Sequence, residues 1–256
     1  KATLKSYFDS VTTTLTNKTL ISPKLNEDVV VTVKASELNG LLTGWIPAGE
    51  TWTYASATTF TISGNKTGKY QKGDKIKLTQ TSVKYFYIIG VSYSSPNTTI
   101  TVTGGSDYSL ANATITSPFY SKAENPQGFP QWFNWSPTIS GLTIGNGSLT
   151  SRFSIVGGTV NFMISVLFGS TSAITGRNSF TLPVKGSGYN KTATAFIQDT
   201  GTETFQGQAV FNANYVFVDV VVASSTYAKQ AYFSSTVPMT WTATDWYVTN
   251  GSYEMA

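Results

Sequence analysis

Acid–base chemistry near neutral pH would fall to the 13 carboxylates of this 256-residue chain, because it contains neither His nor Cys. Asp199 and Glu203 are the closest pair in the C-terminal half, and Asp219 and Asp245 complete the candidates. Two carboxylates flanking a glycosidic bond are the machinery of glycan cleavage. The surrounding residues argue for another role. Asp199-Thr-Gly-Thr-Glu203 reads as a turn centred on Gly201, and Asp245 lies in a turn-like Thr-Asp step before Trp246. Phosphate-loop and dinucleotide fingerprints are absent, and the acids are too dispersed for a calcium loop. The expectation is a chain that is not an enzyme, with no catalytic residue, no metal site and no cofactor.

Binding fits the residue types better. Aromatic rings on loops stack on sugar faces while neighbouring amides and hydroxyls bond the ring substituents. Tyr189 and Asn190 in KGSGYNK, and Tyr227 in SSTYAK, are the candidates, since the Gly, Ser and Lys around them mark exposed loops. A packed or interface tyrosine is the competing reading for each. Trp241, Trp246, Tyr247 and Tyr253 fall in the final strands and read as core or interface residues, and Trp45 and Trp52 as anchors of the first module. Six lysines between Lys66 and Lys84 allow an anion-binding patch, but solvated or edge-guarding lysines account for them more simply. No nucleic-acid partner is expected.

Elements must hold these groups in place without disulfides. Charged residues make up only 12% of the chain and hydrophobic residues 40%, with Thr, Ser, Gly, Asn, Tyr and Val prominent. That is the vocabulary of strands and turns. No run approaches the roughly 18 apolar residues of a membrane span, so no membrane insertion is expected.

The pattern divides the chain into four stretches. Residues 1–43 are poor in apolar residues and read as an extended arm; its aliphatics Leu15, Leu20, Ile21, Leu25, Val29, Val31 and Val33 would line a subunit interface. Residues 44–125 carry four or five runs rich in β-branched and aromatic residues, as in a small barrel or sandwich. Residues 126–137, with Pro126, Pro130 and Pro137, read as a linker whose aromatics pack along a neighbour. Residues 138–256 hold eight or nine strand candidates, suggesting a jelly-roll-like sandwich, with a tight turn at Gly145-Asn146-Gly147. NYVFVDVVVA and NFMISVLFG contain consecutive apolar residues, which implies that both faces of those strands are covered.

Several stretches resemble bacteriophage tail-fibre and minor tail proteins. They are LTNKTLISPKLNED with KASELNGLL, then GWIPAGETWTY, KLTQTSVKYFYI and NPQGFP, then WSPTISGLTIGNGSLTSRF, FTLPV and the ending SSTVPMTWTATDWYVTNGSYEMA. Together they span nearly the whole chain, although each is a diffuse pattern. The resemblance implies an all-β homotrimer on the virion exterior, docked to other virion proteins through the N-terminal arm and displaying its C-terminal sandwich to a host-surface glycan. A capsid head fibre, decoration protein or collar element with a purely structural role is the alternative expectation.

Overall fold

The computed structural model describes residues 42–188, 191–224 and 226–256, all within a compact unit that spans Ser36–Ala256. The predicted arm residues Leu15, Leu20, Leu25, Val29 and Val31, and the loop residues Tyr189 and Asn190, lie outside the described residues. What is described is all-β, in two antiparallel sheets.

The first sheet has seven strands: β1 (Ile46–Pro47), β2 (Thr53–Ser56), β3 (Thr59–Ser63), β4 (Lys75–Gln80), β5 (Ser82–Ser94), β6 (Asn97–Thr103) and β7 (Thr116–Ser121). Their order is β1-β7-β4-β5-β6-β3-β2, so consecutive strands β1 and β2 occupy opposite edges. Seven flat strands at about 4.8 Å spacing would set those edges roughly 29 Å apart. The short connection from Pro47 to Thr53 reaches at most about 21 Å. The sheet must therefore curl, and its concave side closes over Trp52, Phe60, Ile62, Tyr70, Ile76, Leu78, Phe86, Ile88, Ile100 and Val102. Period-two alternation explains the choice: Ile76 and Leu78 face in, whereas Lys75 and Lys77 face out. Glu50 ties the rim together, accepting from Lys69 Nζ at 2.7 Å and from the Tyr70 hydroxyl at 2.9 Å. Burial alone would raise the Glu50 pKa; these two hydrogen bonds, with the charges of Lys69 and Lys66, hold it below the usual carboxylate range instead.

The second sheet has ten strands: β8 (Phe133–Asn134), β9 (Ile139–Thr143), β10 (Ser148–Val156), β11 (Thr159–Leu167), β12 (Ala173–Thr181), β13 (Lys191–Asp199), β14 (Glu203–Phe211), β15 (Tyr215–Ala223), β16 (Ala228–Tyr232) and β17 (Trp246–Glu254). The order is β8-β10-β11-β17-β13-β14-β15-β12-β9, with β16 added to β15. Here β8 and β9 are sequence neighbours at opposite ends of the path. The five-residue step from Asn134 to Ile139 cannot bridge a flat sheet of that width, so this sheet rolls up as well. Its interior is sandwich-like, with Phe153, Phe162, Ile164, Phe180, Ile197, Phe211, Val216, Val218, Tyr247 and Tyr253 packed between facing layers.

Two features depart from what local patterns suggest. The turn at Gly145-Asn146-Gly147 forms, with Gly147 N donating to Ile144 O at 3.0 Å, but β9 and β10 on either side of it do not pair. It is an arch between opposite ends of the sheet order, clasped by Asn146 Oδ1, which accepts from Thr171 N and Thr171 Oγ1 at 2.9 Å each. In β11, burial alternates strictly despite the apolar run, so Met163 and Leu167 face outward; the outward side of β11 carries no second layer among the described residues.

Between the sheets lies an aromatic seam. Phe133 is fully buried, with its ring centroid 5.3 Å from Tyr87, 6.1 Å from Tyr108, 5.5 Å from Phe129 and 5.9 Å from Phe153. Tyr87 and Tyr108 belong to the first sheet's module and Phe153 to β10, so one ring joins both. Trp45 also belongs here, against Tyr85 and Phe129, its Nε1 donating to Gln127 O at 2.8 Å. Backbone closes the same joint: Ser106 N donates to Asn134 O at 2.8 Å, and Asp107 accepts from Asn134 N and Nδ2. The approach is close enough to require glycine, since a Cβ on Gly105 would sit 1.9 Å from Asn134 O.

Candidate functional site

The outward side of the second sheet is built by three adjacent strands, β17, β13 and β14. Alternation sends Thr194, Phe196 and Gln198 of β13 outward while Ala195 and Ile197 enter the core. Register then sets outward rows side by side: Trp246, Gln198 and Thr204; Val248, Phe196 and Gln206; Asn250, Thr194 and Gln208. The rows continue through β11 as Leu167, Ser165 and Met163. From β11 to β14 these rows contain no charged side chain.

A depression of ≈ 590 Å³ lies in this face, lined by Thr194, Ala195, Phe196, Thr204, Phe205, Gln206, Val248 and Asn250. Phe196 is 43% exposed, and its ring centroid lies 5.4 Å from that of Trp246. The amides of Gln206 and Asn250 and the hydroxyls of Thr194 and Thr204 carry no hydrogen bond to the described residues, so their donors and acceptors are open to an incoming polar group. An aromatic pair beside free amides and hydroxyls supplies stacking and neutral hydrogen bonds. No carboxylate, lysine, arginine or tyrosine side chain is among the residues that line it.

Of the sequence-predicted binding residues, Tyr189 and Asn190 lie outside the described residues, and only Tyr227 can be placed. Tyr227 sits in the β15–β16 turn, 78% exposed, with its carbonyl accepting from Ser224 N at 2.7 Å; it does not line the depression. Phe196, Gln206 and Asn250 were missed because a residue on an open sheet face has the same one-dimensional signature as any outward strand residue. The period-two placement of Phe196 among polar residues in KTATAFIQD was the available clue.

Two of the four candidate carboxylates, Asp245 and Asp219, are bound into the fold by their side chains. Asp199 and Glu203 oppose each other across the hairpin that turns through Gly201, which has a φ of 86°. Asp245 is buried and accepts from Thr200 N, Thr242 N and Thr242 Oγ1, tying that hairpin to the approach of β17. Asp219, fully buried, accepts from Arg177 Nε at 2.9 Å, Arg177 Nη2 at 2.5 Å and Gln230 Nε2 at 2.6 Å. The Arg177 guanidinium lies 4.4 Å from the Phe217 ring and 4.2 Å from the Tyr232 ring. Its bond to Asp219 raises its pKa above the ordinary arginine value. This stack closes a fork where β15 leaves β12 to pair with β16. Among the described residues no cluster of carboxylates could hold a metal ion.

The six lysines of the first module are likewise engaged. Lys66 and Lys69 meet Glu50, Lys72 reaches the Ala256 carbonyl, Lys84 donates to Ser109 O, Lys77 lies over Trp45 and Phe119, and Lys75 is buried at the seam.

No family model, curated protein or solved structure matches this chain.

Proposed function

We propose that the chain is an outer appendage of a virus particle, a bacteriophage tail fibre or spike, and that it attaches to neutral glycan on a host surface through the outward face of β13, β14 and β17. The observation that carries this reading is the charge-free depression with the Phe196–Trp246 ring pair beside unengaged amides and hydroxyls. Sugar hydroxyls are neutral donors and acceptors, and a sugar's C–H face suits an aromatic ring. The resemblance of the stretches quoted above to tail-fibre proteins is what supports a virion context. The reading of a jelly-roll-like C-terminal module rests on the insertion of the last strand, β17, between β11 and β13. Homotrimer assembly rests on the apolar residues of the arm and on outward Met163 and Leu167.

The test is binding of the purified protein to neutral host-wall polysaccharide, alongside Phe196→Ala and Trp246→Ala. Retention should fall at least tenfold in either variant and should be indifferent to 0.5 M salt, since no charge lines the site. Wild-type retention that salt abolishes, or that both variants preserve, refutes it.

The purely structural reading, a capsid fibre, decoration or collar protein, is favoured by one observation: Leu167, Met163 and Val248 on this face would serve equally as a contact between copies. Imaging of virions carrying a labelled chain separates the two, because label on capsid faces excludes the tail.

A further inference from the structure

At the seam, Lys75 opens β4 with only 6% of its surface exposed. Its Nζ makes one hydrogen bond, to Ala123 O at 3.2 Å, and lies 5.7 Å from the Tyr87 ring centroid and 5.8 Å from that of Phe129. An ammonium has three donors, so two remain unused. The buried carboxylate next to it in sequence, Asp74, does not meet it. Asp74 Oδ2 instead accepts from Gln71 N at 3.0 Å and from Lys122 Nζ at 3.2 Å. Among the described residues no carboxylate forms an ion pair with Lys75. Burial of a cation without a direct counter-charge is costly, and it lowers this lysine's pKa, with Glu124 and Asp74 only partly offsetting the effect.

Lys75 lines an open pocket of ≈ 170 Å³ between the first sheet, the segment from Glu124 to Trp132, and the end of β10. Phe129 and Trp132 provide apolar walls, while the side-chain amides of Asn125 and Gln131 carry no hydrogen bond to the described residues. Arg152 stands behind one wall, its guanidinium 5.7 Å from the Trp132 ring. Glu124 also lines the pocket.

We infer that this seam pocket binds the carboxylate of a small organic acid, with Lys75 as counter-ion and Asn125 and Gln131 as hydrogen-bond donors. One buried positive charge matches one negative charge. Glu124 sets an upper limit on that charge, since its carboxylate repels a dianion and favours a monocarboxylate over phosphate. The space, on the order of six water volumes, suits a hydroxy acid of lactate size. The inference concerns a different surface from the sheet-face depression and stands whether or not that face binds glycan.

The probes are sodium lactate, its neutral isostere lactamide and inorganic phosphate, titrated into the full chain while the Trp132 indole N–H and Gln131 amide signals are followed by NMR. Lactate should shift both signals saturably, with lactamide and phosphate at least tenfold weaker. Lys75→Met should abolish the shift; because that residue is buried, Gln131→Ala, on an exposed side chain, provides the second variant and should weaken lactate severalfold with folding intact. Glu124→Gln is the opposite arm and should tighten lactate severalfold while narrowing the margin against phosphate. No saturable shift, lactamide binding as well as lactate, or weaker lactate binding by Glu124→Gln overturns the assignment.

Discussion

Replacing Phe133 by Ala tests whether the aromatic seam makes the two sheets one cooperative unit. The ring is fully buried and touches Tyr87, Tyr108, Phe129 and Phe153, so its loss empties a space that neither sheet can refill alone. A void on the order of 100 Å³ at ~24 cal/mol per Å³ costs about 2.4 kcal/mol, and the lost transfer of the ring adds ~1.5–3 kcal/mol. Partial collapse brings the expected loss to about 3–5 kcal/mol. For a folded unit of this size that is a drop of roughly 6–20 °C in melting temperature. Differential scanning calorimetry and urea denaturation followed by far-UV circular dichroism are the assays. Wild type should unfold in one transition, and Phe133→Ala should both lower stability and separate two transitions. Phe60→Ala is the control: its ring stacks on Trp52 at 4.5 Å inside the first module's own core, so it should destabilise without uncoupling. Two resolved transitions in the wild type, or a loss under about 1 kcal/mol in Phe133→Ala, would refute the reasoning.

Gly105→Ala adds a methyl where Asn134 O leaves no room, and should also uncouple the sheets, seen as faster amide exchange at Ser106 and Asn134 with the β11–β17 amides unchanged. Arg177→Ala strands the fully buried Asp219 carboxylate and should cost about 3–5 kcal/mol; Arg177→Met with Asp219→Asn should recover most of it, by chemical denaturation. Glu50 has a depressed folded-state pKa, so its contribution is present above its unfolded value, near 4.5, and is lost as pH falls through the lower folded value. Unfolding free energy should therefore decline more between pH 6 and pH 3 in wild type than in Glu50→Gln, an effect kept small by its partial solvent contact. Equal slopes would remove Glu50 from the account.

The all-β character was legible in the residues themselves. SLTSRFSIV alternates polar with apolar and forms β10, whereas the apolar run in TVNFMISVL hid the strict alternation of β11; the two pair with Phe153 opposite Phe162. Turn chemistry was equally local: Gly201 with positive φ and the Asn146 arch both sit at Gly-rich steps. Strand order was not legible, because pairing of β17 with β11 and β13 depends on contacts between residues about 50 to 90 positions apart. The aromatic seam was half visible, as too many rings in FPQWFNW for a free tether, but nothing local identifies Tyr87 and Phe153 as their partners. The candidate face escaped for the same reason. Phe196 and Trp246 are 50 residues apart, and only the register of β13 on β17 sets them side by side. Tyr227 was placed on an exposed loop by the Ser and Lys around it, and it is 78% exposed in the β15–β16 turn.

The central place of β17 governs the timing of assembly. Until its residues arrive, β11 and β13 each lack a neighbour on one edge, and Tyr247 and Tyr253 are missing from the interior. The hairpins β10–β11 and β13–β14–β15 can form early from nearby residues, but the ten-stranded sheet must wait for a late strand to be inserted between them. Such a chain exposes two unpaired strand edges during synthesis, a period in which another copy is a competing partner for each.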